Sequence, residues 1–396
     1  MSRSLNILRV WALPTVSAKG AARHAEVGTA TTREETPTAA HDTHDSESEA
    51  TVVRERTARR YLLMSAGSLV LVFGLVWFYV AAFPMAFMSR DYPAWTAQRT
   101  ILASCNLGAV SIFGDSRAMA GIEPQQLSFQ ISNFADAGSS PIEAYFTIRR
   151  EIACKTRPKA IIIAYSTGKY MADVDFWEIS VRTGILNLAD VLDVRTRGEA
   201  LHDDEIGGLG GTTDLVPIVR ETLFAIRFPS YYFSSLINGY LFGRYFYNHD
   251  QEIQILANRG HAFFGTLPGS DVLASEVSMP EFKSSRMVDA YLDSTLSLLS
   301  SFKIPVVFLT PPLNEATCKA LNPALRLGFT RYIKAKIAAY PDARVEGPIM
   351  PCWPDRLFGD GYHLNPTGAA IYSKLVNQYL RTNAGLPVSA PRVAER

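Results

Sequence analysis

One stretch constrains this chain more than any other: Tyr61–Phe83 (YLLMSAGSLVLVFGLVWFYVAAF), an apolar run without a single charge. At about 1.5 Å of rise per residue, a helix of this length exceeds the roughly 30 Å hydrocarbon core of a bilayer. A buried core helix of that length would carry a polar stripe, and a cleaved signal peptide would be shorter and lie nearer the N-terminus. Residues 61–83 are therefore expected to form a transmembrane helix. Arg54, Arg56, Arg59 and Arg60 crowd its N-terminal flank, against Arg90 alone behind it. By the positive-inside rule the N-terminus stays cytosolic and the C-terminal domain is translocated, so the expectation is a single-pass protein of the inner (cytoplasmic) membrane with a periplasmic or otherwise extracytoplasmic domain. Trp77, Phe78 and Tyr79 fit an interfacial aromatic belt at the exit end.

The rest divides around that run. Residues 1–60 mix Thr, Ala, Glu, Asp, His and Arg without apolar periodicity and are expected to be a disordered cytosolic tail, with at most a short amphipathic piece near Leu5–Leu13. His24, His41 and His44 belong to that solvated tail and are not read as metal ligands. Residues 84–105 read as a connector, 106–385 as the folded domain and 386–396 as a second tail. With 47% hydrophobic and 19% charged residues, the chain can form a substantial core. A net charge of +1 gives no reason to expect nucleic acid as a partner. The cysteines, Cys105, Cys154, Cys318 and Cys352, form no CxxC pair, which argues against a zinc ribbon or an iron–sulfur site. Outside the cytosol disulfides can form; sequence does not fix the pairing, and Cys105–Cys154 with Cys318–Cys352 is the arrangement that the lie of the segments favours.

Past the connector, apolar runs alternate with helical patterns. Ala109–Phe113, Ile131–Ala135, Lys159–Tyr165 and Pro305–Thr310 read as strands. Helices are expected at Pro141 to Cys154, Arg286–Phe302, about Pro323–Ala339 and from Pro366 onward. The first has Ser140 as N-cap, Pro141 at the first helical position and Glu143 closing a capping box. Asn365 caps the last. Continuously apolar strands separated by helices imply a parallel sheet covered on both faces. In such sheets the active site lies at the carboxyl ends of the strands. Between about 170 and 280 the alternation breaks down into a large insertion. It holds a Gly-rich stretch, Ile206–Thr213, that lacks the Lys-Ser/Thr of a phosphate-binding loop and reads as a flexible loop. It also holds an aromatic segment, Phe228–Tyr247, which reads first as core and otherwise as a lid, a carbohydrate-stacking platform or a membrane-surface helix.

Two local signals carry chemistry. Gly114-Asp115-Ser116 directly follows a buried strand, a position that presents a serine hydroxyl at the rim of a sheet beside backbone N–H groups. The tripeptide alone equally suits a structural turn or an N-cap. Asp360-Gly-Tyr-His363 stands immediately before the last helix. A serine is a weak nucleophile that needs a base; an imidazole can take and return its proton, and a carboxylate on the other ring nitrogen orients it. A lone DxxH equally suits a metal-ligand pair or an N-cap with a surface histidine; no second ligand cluster accompanies it, which makes metal the weaker choice.

Together these blocks resemble the SGNH, or GDSL-type, hydrolase superfamily. The likeness covers Val110–Pro124 (VSIFGDSRAMAGIEP) through Ala160–Ser166, and Ile304–Leu380, with Ser116, Asp360 and His363 in the family's chain order. It implies a flavodoxin-like, three-layer α/β fold with Ser116 as nucleophile, His363 as base and Asp360 as its orienting acid. Gly138, in Asn133-Phe-Ala-Asp-Ala-Gly, matches the block whose glycine N–H joins the serine N–H in the oxyanion hole. The sequence departs from the family at the third block, usually Gly-x-Asn-Asp. Here Ala164-Tyr-Ser-Thr-Gly168 has no Asn, so either Ser166 or Thr167 substitutes or that oxyanion donor is missing. Arg117 stands where the family has Leu, either as a structural ion pair or as a ligand for an anionic substrate.

Membrane-anchored members with such a block resemble proteins that move acyl groups on envelope polymers, as in alginate or cellulose O-acetylation and D-alanyl transfer to teichoic acids. The expected activity is that of a serine esterase or O-acyltransferase needing no cofactor or metal. Its substrates would be acyl, above all acetyl, esters of an envelope polysaccharide, with a multi-span acyltransferase as the natural partner. A silent scaffolding subunit of an export complex and a lipid esterase remain as alternatives.

Overall fold

A computed structural model describes residues 43–172, 176–203, 219 and 222–383. The Gly-rich stretch Ile206–Thr213, the C-terminal tail and the first 42 residues lie outside them. The chain divides into two units, Met1–Gly67 and Ser68–Arg396. The described part of the first is the beginning of helix α1 (Thr43–Ala82). The expected boundary at residue 60 is thereby corrected, because helix already begins at Thr43. The physical reason is propagation: the apolar run supplies the nucleus, and the Glu-, Ala- and Arg-rich residues before it extend it at little cost. Within α1, Val52–Ala82 is long and apolar enough to cross a membrane.

The second unit is an α/β domain built on a parallel sheet. Its strands are β1 (Val110–Gly114), β2 (Ile131–Asn133), β3 (Ala160–Ala164), β4 (Val306–Phe308) and β6 (Ala343–Val345), in the spatial order β2-β1-β3-β4-β6. All pairings are parallel, with Val110 opposite both Ile131 and Ala160, Ile161 opposite Val306, and Val306 opposite Ala343. Alternate side chains feed two separate cores. Val110, Ile112, Ile162 and Val307 point into one; Phe113, Ile161, Ile163 and Phe308 point into the other. This double burial explains why β3 reads Ala-Ile-Ile-Ile-Ala with every residue buried. Each fully buried isoleucine contributes about 1.5–3 kcal/mol.

The helices follow from their sequence patterns. The next after α1 is α2 (Tyr92–Ser104), which replaces the expected connector. Its Ala94, Ala97 and Ile101, spaced three and four apart, pack into the sheet's cores, so the folded domain begins well before residue 106. Helix α3 (Ser116–Gly121) follows β1, and α4 (Pro141–Ile152) begins with the expected Ser140–Glu143 capping box. Then come α5 (Gly168–Met171) and α6 (Leu188–Leu201). The aromatic part of the insertion forms α7 (Phe233–Asn238) and α8 (Tyr245–Ala257). After it stand α9 (Arg286–Ser301), α10 (Glu315–Ala320), α11 (Pro323–Ala339) and α12 (Pro366–Asn383). A short parallel pair, β5 (Leu313–Asn314) with β7 (Cys352–Trp353), lies after β4. Disulfides join Cys105 to Cys154 and Cys318 to Cys352, the pairing the sequence favours.

From β1 the chain passes to β2 on one side and then crosses back to β3 on the other. The carboxyl ends of β1 and β3 thus flank the point where the winding reverses, which is where ligands of such sheets bind. Ser116 and Ser166 follow those two ends.

Candidate active site

The turn after β1 is set by two features. Gly114 passes so close to β3 that a Cβ there would lie 2.4 Å from the Ala164 carbonyl oxygen, which explains the glycine. Asp115, buried, then ties the ends of the two strands: its carboxylate accepts from the Arg117 N–H at 3.0 Å, capping α3, and from the Ser166 N–H at 2.8 Å. Ser116 follows, half-buried at the first position of α3.

The loop before α12 comes to meet it. His363 Nε2 stands 2.8 Å from Ser116 Oγ, and His363 Nδ1 stands 2.8 Å from Asp360 Oδ2. The other oxygen, Asp360 Oδ1, accepts from the backbone N–H groups of Tyr362 and His363, both at 2.7 Å. The three-residue spacing therefore curls into a turn that holds carboxylate and imidazole on one side. Asn365 locks it in place, donating from Nδ2 to the Arg356 carbonyl at 2.8 Å and accepting from the Gly368 N–H at 3.0 Å. Phe264 stacks on the imidazole, ring centroids 4.9 Å apart.

Burial raises the affinity of the Asp360 carboxyl for a proton, but the hydrogen bonds from His363 and the Tyr362 N–H outweigh it and hold the group down at about 2. Its ionised form is favoured in the folded state relative to an ordinary aspartate near 3.9. The stabilisation is present above about pH 4 and is lost as pH falls through about 2. Between about pH 5 and pH 2, wild type is expected to lose more unfolding free energy than Asp360→Asn. Parallel urea-denaturation curves across that range would mean that the contact is absent in solution.

Beside the serine lies a cavity of about 580 Å³ whose lining includes Ser116, Arg117, Gly138, Ser166, Lys169 and Tyr362. The Ser116 and Gly138 backbone N–H groups have no protein acceptor among the described residues, and both residues line the cavity. Gly138 holds φ at +80°, and a Cβ there would lie 2.2 Å from Ile179 Cδ1. Lys169 Nζ donates to its carbonyl at 2.7 Å, fixing the peptide. If that N–H serves as an oxyanion donor, Gly138→Ala, whose Cβ would push the peptide away from Ile179, is expected to lower kcat and kcat/KM together by about 10²–10³. A rise in KM alone would remove Gly138 from that role.

Of the two candidates for the third donor, Ser166 lines the cavity but its N–H is taken by Asp115, leaving only the hydroxyl. Thr167 is buried and outside that lining. Arg117 is paired: its guanidinium meets the Glu276 carboxylate at 2.6 Å, with the two side chains 7% and 2% exposed, and the Tyr362 ring lies 5.3 Å from its Cζ. Glu276 and Phe264 had no sequence signal, since one comes from a four-residue 3-10 turn, Ser275–Ser278, and the other from a loop of the insertion. Among the described residues no group of three or more His, Cys, Asp or Glu is arranged to hold a metal ion.

Chemically, the arrangement offers a hydroxyl, an imidazole on it, a carboxylate behind the imidazole and two unclaimed backbone N–H groups on residues lining the same cavity. No protein-family model matches the chain, and neither does any curated protein.

Proposed function

We propose that this chain is a membrane-anchored serine esterase or O-acyltransferase of the SGNH type, acting outside the cytosol on acyl esters of an envelope polysaccharide. The observation that carries the reading is the continuous Ser116–His363–Asp360 hydrogen-bond relay at the carboxyl edge of a parallel sheet. The sheet order, 2-1-3-4-5 once strands outside it are left out, is the flavodoxin-like order expected of that superfamily and supports the same reading.

In this reaction Ser116 Oγ attacks the ester carbonyl while His363 Nε2 takes its proton. Asp360 stabilises the imidazolium, and the Ser116 and Gly138 N–H groups hold the oxyanion. His363 then returns the proton to the departing alcohol, leaving an acyl–serine ester. Water resolves it in an esterase; a sugar hydroxyl resolves it in a transferase, with His363 again as base.

Turnover of a chromogenic acetyl ester by the full-length protein, lost in Ser116→Ala, is the expected result; equal inactivity of both would sink the enzyme reading. A lipid ester is the second reading, favoured by the exposed aromatic residues of the insertion. Preference for long over short acyl chains would select it, and we expect short. Orientation has a separate test. A C-terminal reporter active only outside the cytosol is expected, and cytosolic activity would reverse the topology.

A further inference from the structure

The segment Phe228–Tyr247, expected first as core, leaves a large group of apolar side chains uncovered outside α1. Phe233, Ile237, Tyr240, Leu241, Phe242 and Phe246 are 55–87% exposed. A soluble surface seldom presents so contiguous a group of large apolar side chains. The two apolar faces of α7 divide the work. Tyr232, at its start, and Leu236 are buried with Val80, Phe87 and Trp95, whereas Phe233 and Ile237, one residue further on, point outward.

What covers the outer face follows from where the segment is attached. The Phe228 ring packs on Phe73 and Trp77 at 5.5 and 5.4 Å, and Trp77 Nε1 donates to the Ile226 carbonyl at 2.9 Å. Further along α1, Tyr79 donates to the Leu241 carbonyl at 3.1 Å, and its ring meets Phe242 at 4.9 Å. Phe73 precedes the end of α1 at Ala82 by about 14 Å of helix. Residues 226–228 therefore flank the apolar run well inside its exit end, and the turn at 240–242 flanks its last turns. The same helix carries Leu69, Val70 and Leu71, 63–72% exposed. Arg90, 5.3 Å above the Tyr247 ring, and Arg244 stand at the rim, where cations suit lipid phosphates.

We propose that the outer face of Phe228–Tyr247 lies in the headgroup–acyl boundary of the bilayer that α1 crosses, as a second membrane contact beside the anchor. This rests on the anchor reading given above. A partner protein would have to enter the membrane to reach residues flanking Phe73, whereas lipid is already there. The contact also sets the reach of the active site. Helix α8 leaves the face at Tyr245 and ends at Ala257, about 20 Å on, a short loop before Phe264 on the catalytic imidazole. The proposed contact would keep the site close to the membrane surface, where such esters emerge.

The test uses full-length protein in vesicles of brominated phosphatidylcholine with phosphatidylglycerol, and reads the emission added by one new tryptophan. Phe246→Trp and Tyr240→Trp probe the face, Leu69→Trp the anchor, and Leu327→Trp, on exposed surface of α11, serves as the aqueous reference. Quenching at 240 and 246 is expected to exceed that at 327 several-fold and to approach that at 69. If 69 is quenched while 240 and 246 match 327, the second contact is refuted and the anchor stands. If 69 also matches 327, the anchor reading itself fails.

Discussion

Replacing Ser116 by alanine is expected to lower kcat for an acetyl ester by on the order of 10⁵–10⁶-fold, with the fold intact. The size of the effect comes from the relay acting as a unit. Without the hydroxyl there is nothing for His363 to activate, and the remaining N–H groups and binding contacts supply only a residual rate. The fold should tolerate the change because Ser116 is half-buried and its hydroxyl has a single protein partner among the described residues, the His363 imidazole. Single-turnover kinetics and thermal unfolding of the same sample check both halves. A loss below about tenfold would mean that water, not Ser116, attacks the ester.

The largest expected effect on stability falls at Glu276. Glu276→Ala leaves the Arg117 guanidinium buried without its counter-charge, and a broken buried pair of this kind costs about 3–5 kcal/mol. Activity should fall with it, because Arg117 supports the Tyr362 ring, and Tyr362 sits inside the turn that joins Asp360 to His363. Arg117→Met combined with Glu276→Ala is expected to recover much of the stability, since the orphaned charge is gone. Urea denaturation of the two single variants and the double variant decides the matter. A loss under about 1 kcal/mol in Glu276→Ala would show the pair to behave like a solvated surface bridge.

These two residues also mark what could and could not be read from the sequence. Ser116, Asp360 and His363 were legible because each sits at a junction with a local signature. One follows an apolar strand through a glycine that only close strand packing explains, and the others precede a proline-started helix. The capping box at Ser140 and the fully apolar β3 were legible for the same local reason. Glu276 and Phe264 were not, because they reach the site from a four-residue turn and a loop, both too short to leave any periodicity. Strand β6 was missed because Ala343–Val345 is only partly buried at the sheet's edge, so no apolar run announces it. Helix α2 was hidden behind Pro93 and read as a connector, although Pro at the second helical position is compatible with a helix start. The aromatic segment misled in the opposite direction: its composition fits a core, and only the position of its anchoring contacts on α1 separates the buried face from the exposed one.

The central claim is that Ser116 is a nucleophile activated by His363. Its most direct test is labelling of the full-length protein with a fluorophosphonate probe, followed by peptide mapping. The adduct is expected on Ser116 alone, abolished in Ser116→Ala and strongly slowed in His363→Ala, where the base is missing. No adduct on Ser116 in folded wild type, or labelling that is indifferent to His363, would contradict the account.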